Sequence, residues 1–116
     1  MLAIKTKHKI LLARLVQVPI VFFIKLFKKT IKILVRREGI SWFLDLSEGI
    51  DFAIFLTGKF EIKTSSYLKS IIKEGDIIFD IGANIGAHTL PMAKSVGENG
   101  IVHAFEPTKF AFDKLS

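Results

Sequence analysis

The chain has 116 residues, enough for one domain, with half of them hydrophobic and eleven of them Phe. That composition excludes a disordered protein, and the absence of cysteine excludes a disulfide framework or a thiolate metal site. The net charge of +6 hides an asymmetry: residues 1–37 carry ten Lys or Arg and no acid, whereas residues 38–116 sum to −4. The basic character therefore belongs to an N-terminal arm, and the two ranges read as arm and domain.

In the arm, Lys5, Lys7, His8 and Lys9 precede the apolar run Ile10 to Ile24. Arg14, Gln17 and Pro19 interrupt that run, Lys25, Lys28 and Lys29 follow it, and no small-residue cleavage site appears. It is also shorter than the roughly 20 apolar residues a membrane span needs, so a signal peptide or spanning helix is disfavoured. From Ile20 to Arg37 the pattern is helical. Lys25, Lys28, Lys29, Lys32 and Arg36 share one face, and Ile20, Phe23, Ile24, Phe27, Ile31 and Leu34 the other. Two placements suit such a basic amphipathic helix: on an anionic membrane surface, or packed against the rest of the protein. Nucleic acid is not an expected partner, because the charged face carries no interleaved aromatics and no nucleic-acid motif is present. The expected location is the cytoplasm, with the inner membrane face as the place for the arm.

Glu38-Gly39 ends this helix. Ser41 to Leu46 and Ile50 to Leu56 read as two strands of an antiparallel hairpin joined around Ser47-Glu48-Gly49. Thr64, Ser65 and Ser66 offer caps for a helix through Lys73, with Leu68, Ile71 and Ile72 as its apolar face and Gly75 just past its end.

The run Ile77-Ile78-Phe79-Asp80 leads into Gly82-Ala83-Asn84-Ile85-Gly86, then a helix to Val96 with Gly97 as its stop. Pro91 is awkward inside that helix. A second apolar run, Ile101 to Phe105, ends in Glu106. Strand, glycine turn, helix, strand and acid make a nucleotide-binding βαβ unit. The dinucleotide fingerprint wants a glycine where Asn84 stands, and Asp80 beside the turn would repel a pyrophosphate. A nicotinamide-dependent oxidoreductase is therefore the weaker reading. Asp80 suits a cationic ligand without phosphate, and S-adenosylmethionine (SAM) is one. Asp80 would face its methionyl end. Gly82 and Gly86 would let the main chain pass close beneath it, and Glu106 would accept from its ribose hydroxyls. Asn84 either orients the loop with its side chain or tolerates a left-handed backbone. After Pro107 a helix begins near Thr108, with Phe110, Phe112 and Leu115 as its buried side.

Phe79-Asp80-Ile81-Gly82-Ala83-Asn84-Ile85-Gly86 with Phe105-Glu106-Pro107 resembles the SAM-binding core of FkbM-type methyltransferases. The stretches Leu44-Asp45-Leu46, Ile50-Asp51 and Gly58-Lys59-Phe60-Glu61 resemble that family's lead-in, so the likeness covers about residues 38 to 116. It implies an α/β, Rossmann-like class I fold and methyl transfer from SAM to a hydroxyl oxygen of a sugar, polyketide or similar small acceptor. Its cofactor-binding residues would be Glu61, Asp80, Gly82, Ala83, Asn84, Gly86 and Glu106, with Glu61 reaching the methionyl ammonium or else pairing with Lys59 or Lys63. The resemblance also implies a larger sheet than two strands, so the chain reads as the N-terminal, inactive part of such a domain. No residue is assigned as the base. His88 is the nearest histidine but reads as a cap or packing residue, His103 as structural, and no cluster has metal-ligand spacing. The rival reading is a non-catalytic membrane-surface protein with a vestigial nucleotide-binding unit.

Overall fold

The computed structural model describes Leu15, Val18, Pro19, Phe22 and residues 31–116. Those four arm residues are helical and exposed. The rest of the expected helix up to Thr30 lies outside the described residues. Among the described residues no helix is long and apolar enough to cross a membrane.

The predicted helix does not continue to Arg37. Lys32–Arg37 is a strand, β1, paired antiparallel with β2, Ile40–Asp45, in the register Arg37↔Ile40 to Lys32↔Asp45. Glu38 and Gly39 form a two-residue turn with φ of 51° and 74°. Two left-handed residues match the twist of the flanking strands in a tight hairpin. The basic spacing misled because Lys32 and Arg36 share a face in either conformation: four residues is one helical turn and also two strand repeats. Ile33 and Val35, β-branched, alternate inward opposite Trp42 and Leu44 on β2, both buried. The hairpin thus crosses the expected boundary between arm and domain.

The second strand of the expected hairpin is a helix. Residues Gly49–Thr57 form α1, which buries Asp51, Phe52 and Ile54. An apolar run of this length fits either a buried strand or a buried helix by periodicity alone. Gly58 then ends the helix at φ 77°, its N–H donating to Ile54 O at 2.8 Å, which is the left-handed cap that glycine favours. The following helix, α2, spans Ile62–Ile71. It starts before the expected caps: Glu61 sits left-handed at φ 48°, and Ser65 Oγ donates to Phe60 O at 2.6 Å. Leu68 and Ile72 are half-buried, whereas Ile71 is exposed.

The expected βαβ unit is present. Strands β3, Ile77–Ile81, and β4, Ile101–Phe105, pair in parallel, joined by α3, Thr89–Val96, which Gly97 caps. The helix begins three residues later than expected. Pro91 therefore lies in its first turn, where the fixed φ of its ring suits a starting helix, and the flanking Leu90 and Met92 N–H groups donate to the Gly86 and His88 carbonyls. The last helix, α4, spans Lys109–Leu115. Of its expected apolar side only Leu115 is half-buried, against Gly86; Phe110 and Phe112 are 67% and 53% exposed, and Ala111 is the buried residue at 4%. Thr108 sits at its N-cap position but makes no side-chain cap bond.

The described residues therefore form a small α/β unit with two two-stranded sheets. The core joins Trp42, Leu44, Leu46, Phe52 and Ile54 of the N-terminal half to Ile85, Ala87 and Ala111 around the glycine loop. Helix α3 covers one face of β3 and β4 through Met92 and Val96. The other face is open: Ile77, Phe79 and Ile81 are exposed, as are their register partners Ile101, His103 and Phe105.

Candidate cofactor site at the ends of β3 and β4

Parallel pairing in register brings the carboxyl ends of β3 and β4 together, Ile81 opposite Phe105. Both chains turn there. Gly82 and Ala83 donate their N–H groups to Phe105 O at 2.8 and 3.0 Å, folding the loop back over the end of β4. Three of the next residues are left-handed, Gly82 at φ 81°, Asn84 at φ 50° and Gly86 at φ 85°. Asn is the side chain that best tolerates this region, because its short amide bonds locally. Here Asn84 Oδ1 accepts from the N–H of Ile85 at 2.8 Å.

The two glycines serve different ends. A Cβ on Gly82 would meet nothing within 4 Å, so the space beside it is open. A Cβ on Gly86 would lie 2.6 Å from Leu115 Cδ1. Gly86 therefore lets α4 close against the loop, and close passage beneath a ligand falls to Gly82. Ala83, the other loop residue expected to touch a ligand, has its side chain buried, leaving its backbone for that role.

Asp80 and Glu106 stand at the ends of the two strands, as expected. Asp80 Oδ2 accepts from Thr89 Oγ1 at 2.6 Å, while Oδ1 has no partner among the described residues. Glu106 is more heavily engaged. Its Oε2 accepts from the N–H of Asn84 at 2.9 Å, and its Oε1 from the N–H of Thr108 at 2.7 Å and from the Thr108 hydroxyl. The Thr108 hydroxyl and amide, helped by the Asn84 amide, outweigh desolvation and hold Glu106 below the usual carboxylate range. A carboxylate oxygen has two lone pairs, so Oε2 keeps one acceptor position while pinning the loop.

Glu61 does not pair with Lys59 or Lys63. Its Oε2 lies 3.5 Å from His88 Nε2, and Phe60 packs on the same imidazole with ring centroids 5.8 Å apart. His88 is the residue before Thr89, so Glu61 borders the loop through it. The sequence reading missed three partners: Thr89 for Asp80, Thr108 for Glu106 and His88 for Glu61. Thr108 carried a signal, since an acid two residues ahead of a threonine is a local turn pattern. The other two arise from tertiary packing. Outside this cluster, His103 stacks on Phe79 with ring centroids 5.0 Å apart on the open sheet face. Among the described residues no group of three His, Asp or Glu side chains could hold a metal ion.

The arrangement can hold a ligand that offers cationic or hydroxyl donors to two carboxylates across an open glycine turn. No protein-family model matches the chain, and no curated protein matches it.

Proposed function

We propose that the chain is the cofactor-binding part of a SAM-dependent methyltransferase of the FkbM type, methylating a hydroxyl oxygen of a sugar, polyketide or similar small acceptor. The observation that carries this reading is the pair of carboxylates at the ends of adjoining parallel strands. They flank a left-handed turn at Gly82 that is open on its outer side. Open α/β sheets bind their ligands at that edge. The group fits: Asp80 Oδ1 is available to a cationic end, and the ionised Glu106 retains an acceptor position for a ribose hydroxyl. When bound, SAM supplies an electrophilic methyl on a sulfonium, and displacement leaves a neutral thioether. The chain's own work is orientation, through Thr89 on Asp80 and through Asn84 and Thr108 on Glu106.

Asn84 supports SAM over a nicotinamide dinucleotide. It occupies the place of the glycine that admits a pyrophosphate, and its side chain is committed to the loop. The open sheet face supports a fuller Rossmann-like layering, since parallel strands are normally covered by helices on both faces. On that reading β3 and β4 belong to a fuller domain, and this chain by itself is inactive.

The test is nuclear magnetic resonance of the chain titrated with SAM and, separately, with NAD. Amide shifts confined to Gly82, Ala83, Asn84 and Glu106, seen with SAM and lost in Asp80→Asn, are expected. A well-folded chain whose loop amides do not move with SAM, or move equally with NAD, overturns the reading.

A further inference from the structure

The β1–β2 hairpin carries a surface of its own on its outer side. Side chains two apart on a strand share a face, and in β1 Lys32, Leu34 and Arg36 alternate outward and are exposed. Their register partners on β2 include Phe43, opposite Leu34, and Ser41, opposite Arg36, both exposed as well. Leu34 is 76% exposed and Phe43 62%. An apolar cross-strand pair thus stands in water with a lysine on one side and an arginine on the other. The core does not use this pair, since Trp42 and Leu44 on the inner face supply the hairpin's packing.

The charge around the pair is of one sign. Lys32 and Arg36 form no ion pair among the described residues. Asp45 stands opposite Lys32, but its Oδ1 is engaged by the Ser47 N–H and hydroxyl at 3.0 and 2.6 Å. The chain enters this face from the arm, where none of the ten bases ahead of Glu38 is balanced by an acid. Of the arm residues described, Leu15, Val18 and Phe22 are helical, exposed and spaced as one helix face. Apolar side chains set among unopposed cations match a surface that is negative outside and oily beneath. A polynucleotide would meet the charge but leave Leu34, Leu15 and Val18 in water.

We propose that the outer face of the β1–β2 hairpin, together with the arm leading into it, docks on an anionic lipid bilayer. Leu34 and Phe43 enter the headgroup–acyl boundary, Lys32 and Arg36 meet lipid phosphates, and the arm adds Leu15, Val18 and its own bases. The inference does not rest on the SAM reading, because its readouts need no cofactor.

The test is co-sedimentation of the full chain with vesicles of phosphatidylglycerol and phosphatidylcholine in equal parts, and with vesicles of phosphatidylcholine alone. The chain should pellet with the first and stay in solution with the second, and added salt should weaken the binding. Lys32→Gln with Arg36→Gln should bind about thirtyfold more weakly, the worth of two basic side chains near an anionic surface. Both side chains are exposed, so a urea midpoint near wild type separates lost binding from lost folding. Phe43→Trp adds an exposed indole to the buried Trp42, the only tryptophan of the chain. Its emission should shift to the blue on the anionic vesicles and be quenched by lipid brominated in its acyl chains. An unmoved emission from a chain that pellets would leave the arm alone as the anchor and overturns the proposal. So does equal pelleting with neutral vesicles, no pelleting with either, or tighter binding to a polynucleotide than to the anionic vesicles.

Discussion

The backbone N–H of Asn84 donates to Glu106 Oε2 at 2.9 Å, which ties the left-handed turn after β3 to the acid after β4. The loop's shape and the acid's position are therefore one feature. Replacing Glu106 with Gln should disturb both, because the side-chain amide must turn a donor toward either Asn84 N–H or the Thr108 pair. Amide exchange at Asn84 should quicken while exchange in α1 stays at the wild-type rate. Unchanged exchange at Asn84 would mean the bond does not hold the loop.

The two glycines separate binding from packing. Gly82→Ala should cost about 1–2 kcal/mol, the penalty of a left-handed L-residue, since its Cβ meets nothing. Gly86→Ala carries the same penalty plus whatever it costs to swing the end of the half-buried Leu115 side chain aside. Urea unfolding should rank Gly86→Ala below Gly82→Ala, by the cost of moving Leu115 alone. Ligand binding should suffer in Gly82→Ala beyond its loss of stability. The reverse ranking of stabilities would contradict the packing of α4 on the loop.

Asp51 is fully buried in α1 and accepts from the N–H of Asp45 at 2.6 Å and from Lys114 Nζ on α4. Its Oδ1 has no partner. Lys114→Met strands the carboxylate, and breaking a buried pair on one side costs about 3–5 kcal/mol. Adding Asp51→Asn removes the stranded charge while keeping an acceptor for Asp45. The double variant should therefore be more stable than Lys114→Met alone, which a thermal melt of the wild type, both single variants and the double variant would show. Additive losses would mean the pair is not coupled.

Acid sensitivity should reside in two carboxylates. At Asp45 burial raises the pKa, but the Ser47 hydroxyl and amide outweigh it, with Lys114 and Lys32 contributing, so the net shift is downward. Glu106 is also lowered, by Thr108 and Asn84. A lowered folded pKa contributes stability above the unfolded value, near 4. That stability is lost as pH falls through the lower folded value. Urea midpoints should hold steady down to about pH 5 and fall below about pH 4. Asp45→Asn should flatten part of that fall. An unchanged acid limb in the variant would assign the loss elsewhere.

The βαβ unit was legible because several signals agreed along it: apolar runs of strand length, glycines at the turn and stop, and an acid at each strand end. The N-terminal half was less so. Lys32 and Arg36 satisfied helical and strand periods alike, and Ile50 to Leu56 is apolar except for Asp51, so neither stretch declared its period. The outer and inner sides of α4 were also misjudged, since hydrophobicity favoured Phe110 and Phe112. The helix instead turns Ala111 and Leu115, one turn apart, toward the core and Gly86. Asp80 and Glu106 were readable from strand-end position, whereas Thr89 and His88 became partners only through the packing of α3 and α2.

The open face of β3 and β4 carries Phe79 at 63% exposure and Ile81 at 76%, with Phe105 stacked on Phe79 at 6.1 Å between ring centroids. A contiguous apolar patch of this kind drives association when nothing covers it. Phe79→Thr with Ile81→Thr keeps the β-branched preference for a strand while removing the greasy surface. The substituted chain should bind less of a hydrophobic dye and sediment as a smaller species. Its stability should fall by no more than about 1 kcal/mol per site, because Phe79 makes only exposed cross-strand stacks with His103 and Phe105 and Ile81 is exposed. A loss well beyond the two sites together would show that the face is buried in solution, as the interior of a sheet covered on both sides would be.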